Sequence, residues 1–336
     1  MASFPSSIAS FTNPVGTNKL SNPPHATQHT NANDEIVAIE TELGTNPSGN
    51  ASTVAARFSN LPFFDSLDYG DSGDEAAIQA ALTAAGNAGG GTVYVPEGTW
   101  LIDGWANRLM VPDDVRLMGA GREATILQLK TGSSWPASAL GTGGTGILNN
   151  QYANDGSNSW NKNVSICHLT VDVNRDAIDT SAVADGAMLG IQFHKIYESS
   201  VYDVYVKNAW SWGIMVIEGA NIPNADRDAN ILIENCILDN CGKNLTLSSG
   251  LHGGIISTHH NGNLLIRGNI CRNSNANGII LEDATKRNII TNNRIKDNSG
   301  DGIFTSGANL RSCIIGNIID SNGRDGIDMG VGAARF

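Results

Sequence analysis

Short apolar bursts separated by Gly, Asn, Asp and Ser recur along most of this chain. The pair Gly-Ile stands at 146, 190, 213, 254, 278, 302 and 326; the last four are 24 residues apart, and the step from 190 to 213 is 23. Asn269, Asn293 and Asn317 keep the same beat, each nine residues before the Gly of a Gly-Ile pair. Aligned on these marks, NICRNSNANGIILED, NRIKDNSGDGIFTSG and NIIDSNGRDGIDMG put apolar residues in columns 271/295/319 and 279/303/327. A helical repeat would show longer runs with a period of about 3.6, whereas these bursts are brief, alternating and rich in Ile, which predicts strands. Coils stacked about 4.8 Å apart form parallel sheets with continuous inward Ile columns. Asn suits the turns, because it tolerates left-handed backbone and its amide reaches the next coil. The pattern predicts an all-β fold: a right-handed parallel β-helix, a single-stranded solenoid of about 24 residues per coil.

The intervals of 44 residues (146 to 190) and 41 (213 to 254) read as a coil plus an insertion. Insertions in a solenoid become loops on one face. The candidates are NNQYANDGSNSWNK (149 to 162), NRDAIDTSAVADGAM (174 to 188), GANIPNADRDA (219 to 229) and CGKNLTLSSGLHG (241 to 253). Upstream, DEAAIQAALTAAG (74 to 86) sets Ile78, Ala81, Leu82 and Ala85 on one helical face, with Asp74 as N-cap and Gly86 as the stop. A lone helix there predicts a cap over the open end of the first coil. Residues 1–60 form a separate segment: 30 Ser/Thr/Asn/Pro-rich residues, then a short helix with Asn33 as cap, Gly44 as terminator and a narrow stripe of Ile36, Ile39 and Leu43. Such a helix needs a surface to pack on. The solenoid takes residues 61–336, and its last stretch, DMGVGAARF, stops within a coil, which reads as a truncated end or one covered by another chain.

With a net charge of −12 and a pI near 4.9, the chain has no broad basic face for nucleic acid. No apolar run approaches the roughly 18 residues that span a bilayer, and the N-terminus lacks the pattern of a signal peptide. Five scattered cysteines in apolar surroundings predict buried reduced thiols, with a Cys236–Cys241 link or a metal site as lesser readings.

Two stretches carry a family resemblance. FFDSLDYGDSGDEAAIQAALTAAGNAGGGTVYVPEGTWLI with VRLMGAGREATILQLK resembles the opening of pectate-lyase-like β-helix proteins, a group of polysaccharide lyases, hydrolases, uronate epimerases and phage tailspikes. PHATQHTNANDEIVAIETELGTNPSGNASTVAARF (24 to 58) resembles a segment near the start of bacteriophage tail and tailspike proteins. The resemblance implies a virion tail protein, commonly a homotrimer, folded in the host cytoplasm. Its N-terminal segment would meet other tail proteins, and its β-helix would bind and often cleave a bacterial surface polysaccharide. The mannuronan epimerase branch carries an Asp-Pro-His motif where this chain reads Ile256, Ser257, Thr258, which argues against that reaction in its usual form.

If the Ile of each Gly-Ile pair points inward, three rows point outward. They are Trp212, Asn277, Asp301, Asp325; then Gln192, Met215, Ile256, Ile280, Phe304, Asp328; then His194, Ile217, Thr258, Glu282, Ser306. Lys195, Glu218, His259 and Asp283 follow the third row. Glycoside cleavage needs two carboxyls about 5 to 9.5 Å apart. Glu282 and Asp301 are the candidate pair, with Asp283, Asp325 and Glu218 as substitutes. His259 and His194 are candidate acid or base groups for a lyase or epimerase, and Lys195 could neutralise a uronate. Trp212, with Trp210, Trp160 and Tyr152, could stack on sugar rings, and Glu218 and Asp325 complete the binding set. Surface turns also collect such residues without any chemistry. The apolar outward row Met215, Ile256, Ile280, Phe304 predicts a protomer contact or a covering segment. No zinc or EF-hand spacing is present; no cofactor is required, and calcium on turn Asp and Asn residues stays open. Three functions compete: a phage depolymerase, a uronate-polymer lyase or epimerase, and a non-catalytic virion protein.

Overall fold

The computed structural model describes residues 25–43, 62–71, 73–134, 146–151, 159–179, 188–217, 229–242, 252–258, 262–282, 286–307 and 311–330. The chain divides into two compact units, Met1–Leu61 and Pro62–Phe336. The described part of the first is one helix, His25–Leu43. It begins eight residues before the expected cap, so Asn33 lies inside it; Pro24, directly upstream, is a residue whose fixed φ and missing N–H suit a helix start. Ile36, Val37, Ile39 and Leu43 stay exposed.

The second unit opens with the helix Glu75–Asn87, capped by Asp74, whose carboxylate accepts the Ala76 N–H at 2.9 Å. Ala77, Ile78, Ala81, Leu82 and Ala85 are buried against the sheets. Gly86 does not stop this helix, which runs to Asn87. A Cβ at Gly86 would sit 2.9 Å from the Pro112 ring, so close packing is what demands glycine there.

Every described strand pairing is parallel. One sheet has eight strands in the order Leu109–Val111, Gly146–Asn150, Leu189–His194, Trp212–Ile217, Gly253–Thr258, Asn277–Leu281, Ile303–Thr305, Ile327–Met329. Ile191, Ile214, Ile255, Ile279, Ile303 and Ile327 stand in one register column, as the Gly-Ile spacing requires. The first Gly-Ile pair breaks the rule: Leu148, not Ile147, faces Ile191, a slip of one position. In a strand one position exchanges the faces, so Asn149 joins Gln192 in its row.

The other sheet has fifteen strands in two arms. Its corners are marked by positive φ at Glu198, Asn230, Asn263, Arg287 and Arg311, then at Asp203, Asn235, Gly268, Asn292 and Gly316, then at Asn208, Asn240, Asn273, Asp297 and Ser321. All three series step by 32, 33, 24 and 24, and within each coil the corners are five residues apart. The two arms are therefore constant, and the whole variation in coil length falls in the third stretch, which carries the eight-stranded sheet. The expectation of a uniform coil of about 24 residues holds only for the last coils. Residues 218–228 and 243–251 fall within that third stretch.

Buried amides tie the regular coils together. The backbone and side-chain N–H groups of Asn269 both donate to Asn293 Oδ1 (2.9 and 3.0 Å), and those of Asn293 to Asn317 Oδ1 (3.0 and 2.9 Å). Asn298 and Asn322 repeat the motif. Each ladder amide also donates to the preceding coil, as Asn293 does to the Ile266 carbonyl at 3.0 Å, so the ladder amides are satisfied from both sides. All five thiols are free, and only Cys313 is exposed. Burial pushes Cys236 and Cys241 up to about 12, which keeps them neutral and inert.

Candidate functional site

The candidate site lies on the outer side of the eight-stranded sheet. Gln192, Met215, Ile256, Ile280, Phe304 and Asp328 stand in register there. Beside them run Trp212, Gly253 and Asn277, continued by Asp301, whose N–H donates to Asn277 Oδ1 at 2.7 Å, and by Asp325, whose N–H donates to Asp301 Oδ1 at 3.0 Å. His194, Ile217 and Thr258 form the third row.

This face is not open. Leu189, Trp212, Met215, Ile217, Ile256 and Ile280, with Phe304 against them, make an apolar cluster separate from the interior core, and none of the six is more than 9% exposed. The cover is supplied within this one chain, so the unusual apolar row is a second core rather than a bare surface. Trp212 packs on His252 with ring centroids 5.0 Å apart. His194 is buried and held by Asn150, which accepts its backbone N–H at 2.7 Å and donates to its carbonyl at 2.8 Å. Lys195 sits half-buried at the end of that strand with φ 51°. His259, Asp283 and Glu218 lie outside the described residues.

The register separates the expected carboxylate pair. Asp301 stacks on Asn277, and Glu282 is five positions further along that strand, just past Leu281. At about 3.3 Å per residue the two acids are roughly 16 Å apart along the sheet, and side chains standing perpendicular to it do not close that gap to the about 5 to 9.5 Å needed. Asp301 instead meets Asp325 and Asp328, with one carboxylate oxygen of each within 4.8 Å of the others. Asp301 is buried, Asp328 half-buried and Asp325 exposed, so the trio marks the rim where the covered face reaches solvent. Burial raises the Asp301 carboxyl above its ordinary value, with Asp328 and Asp325 adding to the rise, against the opposing pull of the Asp325 N–H and Arg324.

Such a trio can do two things. A carboxyl that tends to keep its proton beside another carboxyl is an acid and base pair. Three carboxylate oxygens within 4.8 Å can also converge on one hard cation with ligand distances of about 2.4 Å, the donor chemistry calcium takes. Asp328 entered the sequence reading only as a row member, because its approach to Asp301 joins two different rows, which a spacing of 24 does not relate.

A second cluster was missed altogether. On the fifteen-stranded sheet His168 Nδ1 lies 2.7 Å from Asp203 Oδ2, and Arg122 Nε lies 2.9 Å from Asp203 Oδ1. Tyr202 meets His168 edge-on at 5.3 Å. His168 and Asp203 occupy the same corner of successive coils, a juxtaposition hidden by their separation of 35 positions.

Residues 65–328, which carry these parallel ladders, corner series and the acid-bearing outer face, match the family described as rhamnogalacturonase A/epimerase, pectate lyase-like; the chain belongs to it. Within reach of its sequence is mannuronan C5-epimerase AlgE3 of Azotobacter vinelandii, 38% identical over 143 residues, 41% of this chain and 7% of that protein. Alginate lyase 7 of the same organism is 33% identical over 135 residues, 39% of this chain and 14% of that one. The chain thus spans a small part of these curated relatives. In fold it is similar to the pre-mature bacteriophage phi29 gene product 12, with a TM-score of 0.52 at 19% identity over 74% of this chain and 33% of that one. It is also similar to a DFA-IIIase mutant of Arthrobacter chlorophenolicus A6 bound to DFA-III, with a TM-score of 0.51 at 14% identity over 77% and 62% of the two chains.

Proposed function

We propose that this chain acts on a polysaccharide, with uronate polymers as the first substrates to test and Asp301 and Asp328 as the reacting pair. The observation that carries the reading is the Asp301, Asp325, Asp328 trio at the rim of the outer face, in a family and among relatives named for polysaccharide chemistry. Asp301, its proton favoured by burial, is the general acid; Asp328, nearer solvent, is the base or nucleophile. Asp325 positions Asp301 through its N–H. Glu282, at the far edge of the sheet, would touch a glycan that runs from the trio over the cover, as would Lys195 and, outside the described residues, Glu218, His259 and Asp283. Trp212 and His194 support that face from beneath.

The stacked ladders are read as a right-handed single-stranded parallel β-helix, the hand taken by nearly all parallel crossovers. The resemblance of residues 24–58 to phage tail segments supports a virion setting, with the first 60 residues as attachment and trimerisation element; a single-chain mass by light scattering would count against the trimer. Calcium is the cation whose ligands the trio would supply, and its binding would appear as a calcium-dependent rise in Tm that Asp301→Asn abolishes.

The test is incubation with alginate, pectate and a panel of capsular and O-antigen glycans, followed at 235 nm and by reducing ends. Asp301→Asn and Asp328→Asn each lower turnover by at least about 100-fold if they carry acid and base roles. Turnover unchanged in both variants, or none on any glycan, overturns the reading.

A further inference from the structure

At the far end of the strand order from Asp328, the helix Glu75–Asn87 and the segment 106–113 enclose a cleft. One part, of about 420 Å³, is lined by Glu75, Gln79, Thr83, Asn107, Arg108 and Met110. It continues past Gln79 and Thr83 into a second part of about 390 Å³ that reaches Asp113 and Gln151. Its walls are fixed: Gln79 Oε1 accepts the Met110 N–H at 2.9 Å, and its Nε2 donates to the Met110 carbonyl at 3.3 Å.

Arg108 is the unusual member. Its guanidinium lies over the Trp105 ring, 4.0 Å from the centroid, and Nη1 donates to the Trp105 carbonyl at 3.0 Å. Nε is buried and donates to nothing. Arg122, Arg267 and Arg272 each hold a carboxylate within 2.9 Å, whereas no ion pair joins Arg108 to any described acid, Glu75 on the opposite wall included. Burial alone sets its environment and disfavours its charge. A half-buried cation with one hydrogen bond, held flat by an aromatic ring at the edge of a rigid cleft, is an anion site awaiting its counter-ion.

The surroundings select the anion. Glu75 and Asp113 put two carboxylates in the cleft against one guanidinium, so a dianion would be repelled. A planar monocarboxylate matches the fork of Arg108, and hydroxyls on the same ligand would find acceptors in Glu75 and Asp113 and partners in Gln79, Thr83 and Asn107. We propose that this cleft binds a hydroxylated monocarboxylate of sugar size, a uronic acid in free form or at the end of an oligomer, through Arg108. The site shares no residue with the acidic trio, and neither needs the other.

The test is calorimetric titration of the full chain with glucuronate, glucose and inorganic phosphate. Saturable binding of glucuronate is expected, with glucose and phosphate weaker by about tenfold or more, and Arg108→Gln losing about tenfold for glucuronate alone. A diglucuronate that binds as well as the monomer would make a polymer end the source; one that binds about tenfold more weakly would make it the free acid, and both keep the carboxylate site. No saturable glucuronate binding, equal binding of glucose, tighter binding of phosphate, or an Arg108→Gln chain that binds glucuronate unchanged overturns the proposal. If Arg108→Gln fails to fold, the contrast of glucuronate with glucose on the natural chain decides. Polysaccharide turnover is untouched by any of these outcomes, so the two proposals fail separately.

Discussion

The outer faces of the two sheets share one pleat and one stacking distance yet treat charge in opposite ways. On the fifteen-stranded sheet, Gln128, Asp172, Lys207, Asp239, Arg272, Lys296 and Asp320 stand in a single register column in which acid and base largely alternate. Asp239 alone accepts from Tyr205, Arg272 and Asn273, and Asp172 pairs with Lys207 at 3.1 Å. On the eight-stranded sheet the equivalent row is Met215, Ile256, Ile280 and Phe304, covered, with its acids gathered at one end. The constant five-residue arms leave no length for a cover over the first face, so it meets water and pairs its charges. The third stretch varies in length, and it is the face it carries that is closed and apolar.

The largest effect that would break this contrast is a charge under the cover. Ile280 is fully buried although it points away from the core, so Ile280→Asp should cost at least about 4 kcal/mol in chemical denaturation, as a core position would. Ile318→Asp, on the other outer face at 63% exposure, should stay within about 0.5 kcal/mol. Equal losses would mean that the covered face is not a second core. Next in size, Asn293→Ala should cost about 2 to 3 kcal/mol, because the two N–H groups of Asn269 that it accepts are left buried and unpaired.

Two acids, buried Asp301 and half-buried Asp239, should then respond to pH with opposite signs. Burial, aided by Asp328 and Asp325, raises Asp301 above the ordinary 3.8, so its contribution to stability is full below about 3.8 and is lost as pH rises through its folded value. In chelator, Asp301→Asn should be more stable than the natural chain at pH 7, with the gap closing below about pH 3.8. Burial also pushes Asp239 upward, but hydrogen bonds from Asn273 and Arg272 outweigh it and hold the carboxyl low. Its contribution is present above about 3.8 and lost as pH falls through its folded value, so Asp239→Asn should be destabilised at pH 7, with the gap closing in acid. Melting curves from pH 3 to 7 separate the two. The smallest change is Arg272→Ala: its side chain is 37% exposed, so solvent screening holds the loss to about 1 kcal/mol or less, shrinking further in high salt.

Much of the architecture was legible before any coordinates. Ile279, Ile303 and Ile327 align as their spacing demands, and Asn269, Asn293 and Asn317 form the ladder expected of them. The candidate site was legible only in part. Asp301 and Asp325 fall in their expected row, but Glu282 was paired with Asp301 across neighbouring coils without counting the five positions along the strand. The meeting of Asp328 with Asp301 across two rows, and of His168 with Asp203 across a coil of 35 residues, became visible only in the fold.

A repeat determines by itself whatever depends on position within the repeat, because equal spacing in a hydrogen-bonded stack forces equal side chains into one column: the inward Ile, the amide ladder and the left-handed corners. What the tertiary structure alone decided is the offset of Leu148, the cover on the outer row and the meeting of Asp301 with Asp328. Those depend on where the chain departs from its period, and a departure is set by packing against neighbours distant in sequence, which no local pattern encodes.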